Sequence, residues 1–360
     1  MPNPPSASRV ATRYLHSGLL RAPPKMSEEI SPWVQGTVAA MISSFRETPP
    51  EVRVLCRKLY GSSGYSSEDS SSYFNVDLEG WPYLKEVSKF LKLAIVKTER
   101  DISEAEAKGI QKDRVPHFIR DALAAEGRSV GYDLYPLEDI RKMLKEVRVV
   151  SPAKAAQAAL RAWGVPNKIL VKVSPQDKGN EGGSFSTRNF EVTINPFSSG
   201  VLPDWDDISG EGLERAVKDY FLDLNRIVVH ELTHLSQELI SKLSQSLAGL
   251  PGNSKRDQSY DYLGLAENSK DLQITEKVHP LKDVEFYTRL QDEVSMFNHK
   301  ASNLTSEQRS RAQKLWVGVL SADQDLLEGF GNRYFFQALK KYEPKKWMKA
   351  VSEFWKATEE

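Results

Sequence analysis

The stretch "NRIVVHELTHLSQEL", residues 225–239, sets two histidines and a glutamate at a spacing that suits hydrolytic chemistry. On a helix advancing about 100° per residue, His230 and His234 fall about 40° apart, one turn above each other. Both imidazoles then reach the same metal ion. Glu231 lies about 100° round from His230, placed to address a water on that metal without ligating it. Neutral imidazoles suit Zn2+, and three protein ligands leave a fourth position for water, whose pKa the metal lowers to about 7. Glu231 would take a proton as the water attacks a carbonyl and return it to the leaving amine. The metal, joined by a Tyr, His or Arg donor, would stabilise the oxyanion.

Such chemistry needs a rigid, partly dry support. Val228, Leu232, Leu235 and Leu239 form an apolar stripe beside the histidine edge, so the metal would border a buried face. The flanking "IVV" and the intervening Leu232 and Thr233 keep charge away from the ligands. The motif sits in the middle of a long helix expected from about Glu211 to Leu247. Upstream, "SPAKAAQAALRAWGVP" (151–166) predicts a helix with Ser151 as cap, Pro152 in the first turn and Gly164 at the C-terminal end. "KILVKVSP" (168–175) and "FEVTINP" (190–196) alternate as strands, joined by the polar connection "QDKGNEGGSFSTRN". Downstream, 251–280 reads as a polar loop and "LKDVEFYTRLQDEVSMF" (281–297) as a helix.

"IVVHELTHLS" resembles the zincin metallopeptidase signature, although Ser236 stands where that family usually carries an apolar residue. "GGSFSTRNFEVTINP" is similar to the strand before the active-site helix of compact zincins, which aligns an extended substrate by β-pairing. The resemblance spans residues 165–300 and implies a hydrolase: a zinc metalloprotease with a peptide or protein substrate. The longer metzincin pattern would need a histidine where Ile240 stands, so a gluzincin-like site is implied, with a glutamate from a later helix. "DVEFYTRL" is similar to the "E-I-E-A-Y" segment of small zincins and nominates Glu285 as third ligand. Glu293 and His279 are the alternatives, the latter giving a three-histidine site. Glu285 shares a polar face with Thr288 and Asp292, opposite a Val284–Tyr287–Val294–Phe297 stripe. Either a cleft-facing ligand or a solvated face has that pattern. Asp292 reads as surface or as a partner for a ligand imidazole. Tyr260, Tyr262 and Tyr287 are candidate oxyanion donors, or packing residues.

The rest of the chain frames this core. Four regions are expected: a tail (1–26), a mixed helical region (27–150), a zincin-like core (151–300) and C-terminal helices (301–360). Within 27–150 the pattern predicts helices broken at "TPP" (48–50), an exposed Ser-rich loop over 61–74, a strand near 91–97 and a charged helix at 137–147. The fold class is therefore α+β: a small edge-strand sheet and an active-site helix, flanked by helical regions. Lys plus Arg and Asp plus Glu each number 49, which gives no electrostatic argument for nucleic acid. No run is long enough for a transmembrane segment. Cys56 is the single cysteine, which excludes an internal disulfide or Cys-rich zinc site and favours a cytoplasmic location. The acid-free, arginine-bearing residues 1–27 suit either a flexible tail or an organellar transit peptide. "KKYEPKKWMKAVSEFWK" predicts an amphipathic helix with Trp347, Val351 and Trp355 inward. The alternative function is a non-catalytic structural or interaction protein, an assembly component retaining a zincin-like domain.

Overall fold

The computed structural model describes residues 24–61, 70–77, 84–174, 182–197, 210–248, 283–320, 336, 339–340 and 343–359. It is a mixed α+β fold, mostly helical, with a small sheet. Helix α1 (Pro24–Ser44) begins inside the segment expected as tail and buries Ile30, Val34, Val38, Met41 and Ile42. Helix α2 (Pro50–Tyr60) starts after the "TPP" break, turns Val52 and Cys56 inward and ends at Gly61, φ 71°. Strand β1 (Ser71–Asn75) emerges from the end of the Ser-rich stretch expected as loop. Phe74 accounts for this: its ring meets Trp33 edge-on at 5.9 Å and draws the backbone onto the sheet.

The strand expected near 91–97 is instead the middle of helix α3 (Leu84–Ala107). Leu91, Ala94, Ile95, Thr98 and Ile102 are buried at helical spacing. Leu93 and Val96 face solvent, and these two exposed apolar residues gave the run its strand-like continuity. A two-stranded ribbon, β2 (Lys112–Arg114) with β3 (Leu134–Pro136), brackets helix α4 (His117–Ala125). Helix α5 (Leu137–Val147) matches the charged helix expected there. Helix α6 (Pro152–Ala162) has Pro152 in its first turn, and Gly164 (φ 72°) closes it while Val165 N–H donates to Leu160 O at 2.9 Å. Ser151 contributes its backbone carbonyl, accepting from Ala155 N–H, rather than its hydroxyl.

The main sheet runs β1-β4-β6-β5. Strand β4 (Lys168–Val173) pairs antiparallel with β1 and parallel with β6 (Glu191–Ile194). Strand β5 (Gly183–Ser186) pairs antiparallel with β6, so the segment expected as a polar connection forms a hairpin and supplies an edge strand. The strand at 190–196 is thus interior, and its upstream neighbour lies at the rim. Ile169, Val171, Val173, Val192 and Ile194 fill one face, against helix α7 (Glu211–Ala248) and the helices before it. Buried side chains from Ile30 to Leu243 form one apolar cluster, so residues 27–150 share a core with the sheet and α7.

A second cluster contains Phe286, Leu290, Val294 and Phe297 of helix α8 (Asp283–Lys300), Leu320 of α9 (Ser306–Leu320), and Ala350 and Phe354 of α10 (Pro344–Thr358). Helix α10 buries Ala350, Phe354 and Thr358, while Val351 and Trp355 are half-exposed. Its inward stripe is rotated from the expected one because Phe354 inserts against Phe297, ring centroids 5.5 Å apart. Among the described residues no helix is long and apolar enough to cross a membrane.

Candidate functional site

Helix α7 forms because its apolar residues hold one face over its length: Val217, Phe221, Leu224, Val228, Leu232, Leu235, Leu239 and Leu243 are all buried. Three further contacts fix its first half. Tyr220 Oη donates to Pro196 O at 3.1 Å, tying the helix to the end of β6. Tyr60 stacks on Phe221 at 3.8 Å, and Ser31 Oγ donates to Asn225 Oδ1. Within the motif, Thr233 Oγ1 donates to Val229 O and Ser236 Oγ to Leu232 O, at 2.7 and 2.8 Å. Ser236, at odds with the signature in chemistry, agrees with it in burial, because its hydroxyl is satisfied within the helix.

The two imidazoles converge. Nε2 of His230 lies 3.1 Å from Nε2 of His234, with the rings nearly perpendicular at 80°. Each Nδ1 faces an oxygen: Asp292 Oδ2 at 3.0 Å for His230, and Gln237 Oε1 at 3.3 Å for His234. With the Nδ1 protons facing these oxygens, the two Nε2 atoms turn toward one space, at a separation that a shared proton or a single metal ion can bridge. Nitrogens 3.1 Å apart fit one zinc ion well: bonds of about 2.05 Å would enclose an angle of about 98°, near tetrahedral. Among the described residues no group of three or more His, Cys, Asp or Glu side chains gathers as a metal cage. Only two of the ligands expected for such an ion are therefore described.

Helix α8 supplies Asp292, and its polar stripe faces α7 rather than solvent. Asp292 is 4 % exposed and Thr288, one turn earlier on that stripe, is 0 %. Asp223 on α7 has its carboxyl pKa raised by burial, with Arg226 and then Lys300 opposing the rise. Lys300 thus lies near Asp223 while Asp292 meets His230, so α7 and α8 run antiparallel. Glu285 comes seven residues before Asp292 in α8, about 10.5 Å along the helix axis. The side chain of Glu285 lies outside the described residues, as do those of Tyr260, Tyr262, His279 and Tyr287. Glu293 is buried and its Oε2 accepts from Trp316 Nε1 at 3.0 Å, which engages it in packing α8 on α9. The apolar stripe of α8 runs through Phe286 and Leu290 as well as Val294 and Phe297.

Glu231 is buried at 6 % exposure, against strand β5. A β-carbon on Gly183 would lie 3.1 Å from its Oε1. The Gly-Gly pair that opens "GGSFSTRNFEVTINP" thus contains the point of contact between the edge strand and the helix; "HELTH" gives no hint of it. Gln237 was also missed, although its place three residues after His234 on a helix signals a neighbour. His117 belongs to a separate surface cluster, with Arg120 Nη2 at 2.7 Å from its Nδ1 and the Tyr132 ring over the guanidinium. The arrangement on α7 offers two converging imidazole nitrogens and an adjacent carboxylate beside a strand edge. No protein-family model matches the chain, and neither curated proteins nor solved structures yield a similar one.

Proposed function

We propose that this chain is a zinc-dependent peptidase of the zincin type, with His230 and His234 as metal ligands, Glu285 as the third and Glu231 as general base. The observation that carries this reading is the convergence of two Nε2 atoms 3.1 Å apart, with an oxygen within hydrogen-bond distance of each Nδ1. Bound zinc would polarise the substrate carbonyl and lower the pKa of a water to about 7. The protein's own groups do the rest. Asp292 and Gln237 hold the imidazoles in the tautomer that leaves Nε2 available. Glu231 takes a proton from the attacking water and carries it to the leaving amine nitrogen. Strand β5 lies at the end of the described sheet, next to Glu231, and would pair with an extended peptide along its outer edge.

The test compares wild type with Glu231→Gln. Both should carry stoichiometric zinc, and a mixed peptide library should be cut by wild type with a loss of about 10²–10⁴-fold in the variant. Absence of stoichiometric zinc overturns the proposal. Zinc in both with equal cleavage, or with none, favours a non-catalytic structural or interaction role for the same site.

A further inference from the structure

Strand β5 passes so close to α7 that position 183 has no room for a side chain. A β-carbon there would lie 2.7 Å from Ile227 Cγ2, 3.0 Å from Glu231 Cγ and 3.1 Å from Glu231 Oε1. The first distance is one that real β-carbons do not adopt, and the other two are tighter than ordinary contact. Backbone conformation does not call for glycine here, because the positive-φ glycines among the described residues are Gly61, Gly109, Gly127, Gly164 and Gly210. The requirement is for space alone. Gly183 pairs in register with Ile194, whose side chain is fully buried, so this face of the hairpin is the one packed on the helix. Ile227 and Glu231 are one helical turn apart and sit together under the strand.

We propose that Gly183 is a positioning residue for Glu231: the absent side chain leaves a notch in which the carboxylate rests, and the notch sets the reach of Glu231 toward the histidine edge of α7. This rests on the reading of Glu231 as general base. A base that serves one attacking water must be held to a fraction of an ångström, and misplacement by about 1 Å costs about 10²-fold in rate. An added methyl group cannot be absorbed by the helix backbone, which the apolar stripe anchors along its length. The groups able to give way are the Ile227 methyl, the Glu231 side chain and the rim strand β5 itself. Displacement of Ile227 disturbs packing, whereas displacement of Glu231 disturbs chemistry, and the two are separable.

The experiment uses full-length Gly183→Ala, Ile227→Ala and the double variant, with zinc content, thermal midpoint, kcat, KM and the pH profile of kcat/KM measured for each. Ile227→Ala removes the nearest clashing atom. The expected result is that Gly183→Ala retains zinc but loses about 10²-fold in kcat with KM little changed. The double variant regains the thermal midpoint and not the kcat, and Ile227→Ala alone keeps kcat. Recovery of kcat together with the midpoint in the double variant overturns the proposal and makes Gly183 a packing residue. A crystal structure of Gly183→Ala decides independently of activity. A displaced Glu231 carboxylate over an unmoved β5 supports the notch, and a strand lifted from α7 with Glu231 in place refutes it. Wild type lacking zinc and cleavage would sink the peptidase reading, while that crystal structure would still decide the notch.

Discussion

Replacing Asp292 with asparagine asks how much of the proposed zinc site is made by helix α8. Asp292 Oδ2 is 3.0 Å from His230 Nδ1, and the two side chains are 5 % and 14 % exposed, so water screens the contact little. A charge-assisted hydrogen bond in such a setting contributes about 1.5–3 kcal/mol, against about 0.5–1.5 kcal/mol for a neutral one. Asparagine keeps an acceptor oxygen in reach and gives up the charge. The difference, about 1.4 kcal/mol, corresponds to about tenfold weaker zinc binding. Alanine removes the acceptor as well, and the loss should approach the roughly hundredfold upper end seen for such partners. Competition against a chromophoric chelator at neutral pH measures both. A thermal melt in excess zinc gives a second reading, since tenfold weaker binding removes about 1.4 kcal/mol of metal-linked stabilisation. The reasoning is refuted if Asp292→Asn binds zinc within about twofold of wild type while His230→Ala abolishes binding, well inside the tenfold expected from the lost charge.

Other outcomes follow from neighbouring contacts. Trp316→Phe withdraws the indole donor from the buried Glu293 carboxylate and should cost about 1–3 kcal/mol in urea unfolding, part of which Glu293→Gln restores in the double variant. Tyr220→Phe removes the hydroxyl that reaches Pro196 O and should cost about 1–2 kcal/mol, with an unchanged far-ultraviolet spectrum. Gly164→Ala places a β-carbon at φ 72° and should destabilise by about 1 kcal/mol, seen as a lower melting temperature. Burial pushes the Cys56 thiol from 9.0 up to about 11, so native protein should resist thiol reagents under mildly alkaline conditions and react on unfolding. Because the folded value is the higher one, the stability linked to Cys56 is complete below pH 9.0 and is lost as pH rises towards 11. Melting temperatures across that window should fall less steeply in Cys56→Ser.

What sequence reading recovered follows the range of the forces involved. Helix α7 was legible because its apolar stripe and its motif share one period, and α6 because Pro152 and Gly164 punctuate it locally. Strand β1 was lost in its serines, since its pairing with β4 joins residues about a hundred positions apart and only Phe74 marks it. Helix α3 was misread because Leu93 and Val96 are apolar and exposed, which no periodicity argument anticipates. At the site, periodicity put Glu285, Thr288 and Asp292 on one face yet left open whether that face met water. Burial of Thr288 and Asp292, and the bond of Asp292 to His230, answer that for these two residues, and no local pattern encodes which helix a face will meet. The contact of Gly183 with Glu231 is of the same kind: two residues 48 apart, 231 less 183, joined only by the packing of a strand on a helix.

Helix α8 lays its apolar side in one core and its polar side against another, and this makes the five-residue motif less self-sufficient than its letters suggest. A fragment ending after α7 would retain both histidines, Glu231 and the sheet, and would lack the carboxylate that holds His230. Phe354 touches neither histidine in any described contact, yet through Phe297 it seats the helix that carries Asp292. Shortening the chain from its C-terminal side should therefore erode metal affinity by steps, well before any residue of the motif is removed.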